Sequence, residues 1–90
     1  MAHYIVSYTI KSDSTKGQEL SNFLKRIGLS DDVDQSTRYG SYEGSYRALQ
    51  IEIKDKCEKL GLTKDDNVCL FSAGKNNILT IKKSIIIGEL

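Results

Sequence analysis

Ninety residues, 28 % of them charged and 39 % hydrophobic, have room for one domain around a single modest core. Thirteen lysines and arginines against twelve acids leave a formal charge of +1, which excludes a bulk basic coat for nucleic acid and leaves only a local basic patch open. There is no apolar stretch long enough to span a bilayer and no basic-then-apolar leader at the start, so a cytoplasmic chain without a membrane partner is expected.

The first predicted element is a strand over residues 3–10, HYIVSYTI, rich in the β-branched and aromatic residues that suit a pleated, half-buried surface. Its period-two pattern puts Tyr4, Val6, Tyr8 and Ile10 on the core face, with His3, Ile5, Ser7 and Thr9 on the other. A helix follows. Thr15 and Gln18 have capping-box spacing, Leu20, Phe23, Leu24 and Ile27 repeat at helical intervals, and Gly28 is placed to be a left-handed C-terminal cap. Asp31, Asp32 and Asp34 then suit a loop or a short edge strand, and we expect strands near 33–37 and 38–43.

Residues 45–62 predict a second amphipathic helix, with Tyr46, Leu49, Ile53, Cys57 and Leu60 as its stripe and Gly61 as its stop. Ile51 lies off the stripe and either widens the buried face or meets a neighbouring subunit. The chain closes with a strand at 67–73, a Gly-Lys-Asn-Asn turn at 74–77, a strand at 78–83 and a short apolar run, Ile85 to Ile87. The order strand, helix, strand, strand, helix, strand predicts an α+β, ferredoxin-like βαββαβ domain with an additional C-terminal strand: an antiparallel sheet with two helices on one face. Such a sheet leaves its second face bare, and the final isoleucines have no obvious place in it. A homodimer is expected, its interface formed by Ile5, Ser7, Ile85, Ile86 and Ile87, with each tail pairing to the partner's sheet edge.

The two cysteines, Cys57 and Cys69, form no CxxC pair or ligand cluster with the single histidine, His3, and read as small buried hydrophobes. Lysines 54, 56 and 59 alternate with acids and describe a solvated helix face. Arg38, Arg47, Lys75, Lys82 and Lys83 are the candidates for nucleic-acid contact: the arginines flank the Tyr39/Tyr42 strand, where rings can stack bases, and the lysines sit near the last hairpin. Packing explains the tyrosines equally well, and protection of a strand edge explains the lysines.

Three stretches in order, YIVSYTI, QSTRYGSYEG ahead of a helix, and DDNVCLFSA, resemble the CRISPR-associated Cas-two family and its relatives outside CRISPR loci, some of them linked to toxin–antitoxin systems. The resemblance covers about three quarters of the chain and implies a ferredoxin-like homodimer with sheets face to face. It also implies a metal-dependent phosphodiesterase site in which an aspartate at the end of the first strand holds Mg²⁺ together with its twin. Here Thr9 stands at that position, between Tyr8 and Ile10. A neutral hydroxyl does not supply the charge that retains a hard cation.

The expected function is therefore a non-catalytic dimeric adaptor or nucleic-acid-associated module, without metal or cofactor, its other partner a nucleic acid or a larger protein. The alternative is a Mg²⁺-dependent endonuclease acting on RNA or DNA through a divergent site around Asp13.

Overall fold

A computed structural model of the chain describes residues 2–11, 14–73 and 82–88. Among these residues seven elements follow one another: β1 (Ala2–Thr9), α1 (Ser14–Arg26), β2 (Asp31–Asp34), β3 (Thr37–Tyr42), α2 (Tyr46–Leu60), β4 (Asn67–Ala73) and β5 (Lys82–Ile87). They build one five-stranded sheet in the order β2-β3-β1-β4-β5, with every neighbouring pair antiparallel. This is the ferredoxin-like α+β plan with one strand added beyond β4. Among the described helices, none is long and apolar enough to cross a membrane.

Alternation along β1 decides which side of the sheet is covered. Tyr4, Val6 and Tyr8 are buried, as are Val68 and Leu70 of β4, and they pack with Leu20 and Leu24 of α1 and Leu49, Ile53 and Cys57 of α2. Both helices therefore lie on one face. Tyr4 anchors the end of this core, edge-on to Tyr42 at 6.2 Å and stacked with Tyr46 at 6.1 Å.

Each helix ends as its glycine predicts. Gly28 has φ 125° and Gly61 φ 72°, a left-handed region that residues with a Cβ rarely adopt. After each glycine the next amide reaches back over the last turn: Leu29 N–H donates to the Leu24 carbonyl at 2.9 Å, and Leu62 N–H to the Cys57 carbonyl at 3.1 Å. Ser45 caps α2, its side chain accepting from Ala48 N–H. The start of α1 departs from expectation. The helix begins at Ser14, so Thr15 lies inside it, and Gln18 donates along the helix to Asn22 at 3.2 Å.

The two middle strands are displaced from their predicted bounds because a two-residue turn falls at Gln35–Ser36. Asp34 makes that turn locally, its carboxylate accepting from Ser36 N–H at 2.8 Å and from the Ser36 hydroxyl at 3.2 Å. The Ser36 amide is also the leading cause that holds the Asp34 carboxyl below its ordinary pKa.

The C-terminal expectation is corrected. Lys82 to Ile87 form one strand that pairs with β4 of the same chain, so the isoleucine run completes its own sheet instead of reaching for a partner's edge. A register irregularity between Val68 and Cys69 then breaks the simple alternation. Ile86 and Ile87 pack against the core beside the helices, and only Ile85, at 37 % exposure, is turned to the other face. The predicted turn at 74–77 and most of the predicted strand at 78–83 lie outside the described residues.

Asp66 ties the loop after α2 to the end of β1. It is fully buried, and its carboxylate accepts from Lys11 N–H at 2.8 Å and Thr63 N–H at 3.0 Å. Asp66→Ala removes the acceptor for two backbone donors and is expected to cost about 2–3 kcal/mol in urea unfolding; a loss below about 0.5 kcal/mol would show that water replaces it freely.

Candidate interaction face

No described element lies on the sheet face opposite the helices. The strand register sets the residues of this face in rows that run across the strands. One row is Asp31, Tyr39, Ile5, Phe71 and Lys83. The next is Thr37, Ser7, Cys69 and Ile85. Ile5, Tyr39 and Phe71 are half-buried, and His3 stacks on Tyr39 with ring centroids 5.6 Å apart and planes 12° from parallel. The three central strands place no lysine, arginine, aspartate or glutamate on this face. On β2 the first row ends in an acid, the exposed Asp31.

Ile5 and Ser7 thus occupy the bare face as predicted, and Thr9 is exposed at the end of it, paired in register with Asn67. Period-two reading of 67–73 would have added Cys69 and Phe71 to the same face. Cys69 is half-exposed where a buried hydrophobe was expected.

Arg38 is corrected in role. Expected at a nucleic-acid surface, it is 5 % exposed, and its guanidinium is committed within the chain. Nε donates to the Leu29 carbonyl at 2.7 Å, Nη2 to the Ser30 carbonyl at 2.8 Å, and Nη1 to Ser21 Oγ at 3.0 Å and to Asp32. Its even place in β3 turns it to the helix side, where it closes the α1–β2 connection. Arg47 is exposed in the first turn of α2, on the covered side of the sheet, so the two arginines do not flank the tyrosine row. Asp13 and Lys75 lie outside the described residues; Lys82 and Lys83 open β5.

Two clefts adjoin the helices. The larger, about 1050 Å³, lies between α1 and the β2–β3 hairpin, bordered by Thr9, Gln18, Asn22, Lys25, Asp32 and Arg38. With Asp34 also on its lining, two cations face two acids. The smaller, about 460 Å³, is lined in part by Arg26, Glu43, Tyr42 and Glu52. There the Tyr42 hydroxyl donates to Glu52, which pushes the phenol up to about 12.

The raised phenol favours the protonated ring in the folded chain. That contribution is present below pH 10, the ordinary phenol value, and is lost as pH rises from 10 to 12. In an ultraviolet titration Tyr42 is expected to be the late phenol, and Glu52→Gln to bring it down. An unchanged titration in the Gln variant would remove Glu52 as the cause.

The thiols give a parallel contrast. Burial, ahead of the nearby acids, pushes the Cys57 thiol up to about 12, while Cys69 sits on the bare face. In dilute native protein, Ellman's reagent is expected to modify Cys69 and to reach Cys57 only after denaturant is added. Two equally fast thiols would contradict this packing.

No family model, curated protein or solved structure matches the chain.

Proposed function

We propose that this chain is one half of a homodimer of the Cas-two type, sheets face to face, working as a non-catalytic adaptor that presents its helical surfaces to a nucleic acid or a larger protein. The observation that carries the reading is the bare sheet face: a central row of Tyr39, Ile5 and Phe71 whose neighbours along the three central strands are uncharged. An apolar surface of this kind is costly to leave in water and suits another protein surface better than a phosphate backbone, which demands cations. Thr9 at the end of the face favours the non-catalytic form, since a hydroxyl holds Mg²⁺ poorly where a carboxylate would hold it well.

Sedimentation at micromolar concentration tests the dimer, and a single monomer mass there would end the proposal. Incubation with RNA and duplex DNA in Mg²⁺ or Mn²⁺ tests the chemistry: no cleavage is expected. Cleavage that disappears in Asp13→Ala would replace the adaptor with an endonuclease. A gel shift whose affinity falls steeply with salt would identify the second partner as a nucleic acid, and no shift at low salt would identify it as a protein.

A further inference from the structure

We propose that the larger cleft, between α1 and the β2–β3 hairpin, is a binding site for a short neutral oligosaccharide. The inference is independent of the dimer, because the cleft opens on the helix side and stacked sheets leave it free.

At about 1050 Å³ the cleft is just above the roughly 300–1000 Å³ of typical small-ligand sites. One wall is a polar stripe of α1. Gln18, Ser21, Asn22 and Lys25 recur there at helical spacing over about 10 Å of the axis, while Leu20 and Leu24 on the other side of the helix enter the core. The facing wall is the hairpin, with Asp32 and Asp34. Arg38 forms the floor and ties the walls together, since Nη1 donates both to Ser21 Oγ, at 3.0 Å, and to Asp32. The cleft is therefore built before any ligand arrives.

What a ligand meets follows from the hydrogen bonds already made. Gln18 Nε2 donates to Asn22 Oδ1 at 3.2 Å, which leaves the Gln18 carbonyl oxygen to accept and the Asn22 amide to donate. Ser21 Oγ accepts from Arg38, so its own proton is left to donate. Asp32 gives one oxygen to Arg38 and, with its side chain 74 % exposed, keeps the other for a ligand. Donors and acceptors are thus interleaved along the cleft. A hydroxyl both donates and accepts through one atom, so a row of hydroxyls matches such walls. Half-buried Ile10, also on the lining, offers an apolar surface to the C–H face of a sugar ring.

The same inventory argues against other ligands. An anion would face Asp32 and Asp34, and would find the Arg38 guanidinium already committed to four acceptors. A divalent cation would face Lys25 and that guanidinium. An apolar molecule would strip water from amides and hydroxyls without replacing their hydrogen bonds.

An NMR titration of the isotope-labelled full chain tests the site, with maltotriose, cellotriose and triacetylchitotriose as probes and inorganic phosphate and Mg²⁺ as controls. At least one sugar is expected to give saturable shifts at the Gln18, Ser21, Asn22 and Asp32 backbone amides and at the Gln18 and Asn22 side-chain amides. A dissociation constant of about 1 mM or below is expected, unchanged as salt rises to about 0.5 M because the ligand is neutral. The double variant Gln18→Ala, Asn22→Ala changes two exposed helix positions where alanine is well tolerated. It should keep the parent melting temperature and bind at least about tenfold more weakly. No saturable shift with any of the three sugars would overturn the proposal, as would sugar shifts that survive in the double variant. Phosphate or Mg²⁺ shifting the same amides with equal affinity would also overturn it, by making the cleft an ion site.

Discussion

Replacing Arg38 by lysine is expected to cost the fold about 3 kcal/mol, although the charge is kept. Lysine cannot reproduce the fork that binds the Leu29 and Ser30 carbonyls, Ser21 and Asp32 together. The buried Leu29 carbonyl would lose its donor, worth about 1–3 kcal/mol when left unpaired, and the part-buried Ser30 carbonyl would lose one too. For a domain of this size the melting temperature should fall by roughly 12–24 °C. The ion pair by itself is the smaller part, since the Asp32 side chain is 74 % exposed and well solvated. Asp32→Asn keeps an acceptor in place and should cost less than about 1 kcal/mol. Thermal melts of both variants decide the matter. If lysine at 38 melts with the parent chain, the guanidinium is not what fastens the α1–β2 connection to the sheet.

Alanine at Gly40 should be worse tolerated than any other single added methyl considered for this sheet. A Cβ built there would lie 2.2 Å from the Gly28 carbonyl oxygen and 2.6 Å from Leu29 Cα, both backbone atoms that cannot rotate away. The two segments must separate, dragging the C-cap of α1 off β3. Overpacking of this kind costs about 3 kcal/mol or more, out of a total of about 5–10 kcal/mol for so small a domain. Urea unfolding followed by circular dichroism should show a shallow or strongly shifted transition. Gly17→Ala supplies the contrast: its nearest neighbour would be Ile10 at 3.6 Å, an ordinary contact, and relief of a helical glycine should add about 1 kcal/mol. Equal effects at the two positions would mean that the close approach at Gly40 is not what sets the α1–β3 distance.

These two residues also mark where sequence reading stops. Gly40 was legible only as one member of an alternating strand, and nothing in TRYGSYEG says that a helix cap leans on it. Arg38 looked like a surface cation because arginine usually is one. Its neighbours along the chain do not reveal that Leu29 and Ser30, from the preceding turn, bring two bare carbonyls to its fork. The bare face was half legible: Ile5, Ser7 and Thr9 follow from alternation in β1, whereas the joining of Tyr39, Ile5 and Phe71 into one row needs the register of three strands.

By itself the sequence determined what local physics controls. Alternation in HYIVSYTI fixed which side of β1 is dry, helical spacing picked Leu49, Ile53 and Cys57 for the core, and Gly28 and Gly61 stopped the helices because they tolerate positive φ. Tertiary structure alone decided the partnerships. Ile85 to Ile87 went to the chain's own β4, and a register shift turned Ile86 and Ile87 inward while leaving Ile85 out. Periodicity is written into neighbouring residues, but pairing depends on which distant backbone is near enough to share hydrogen bonds, and that is known only once the chain has closed on itself.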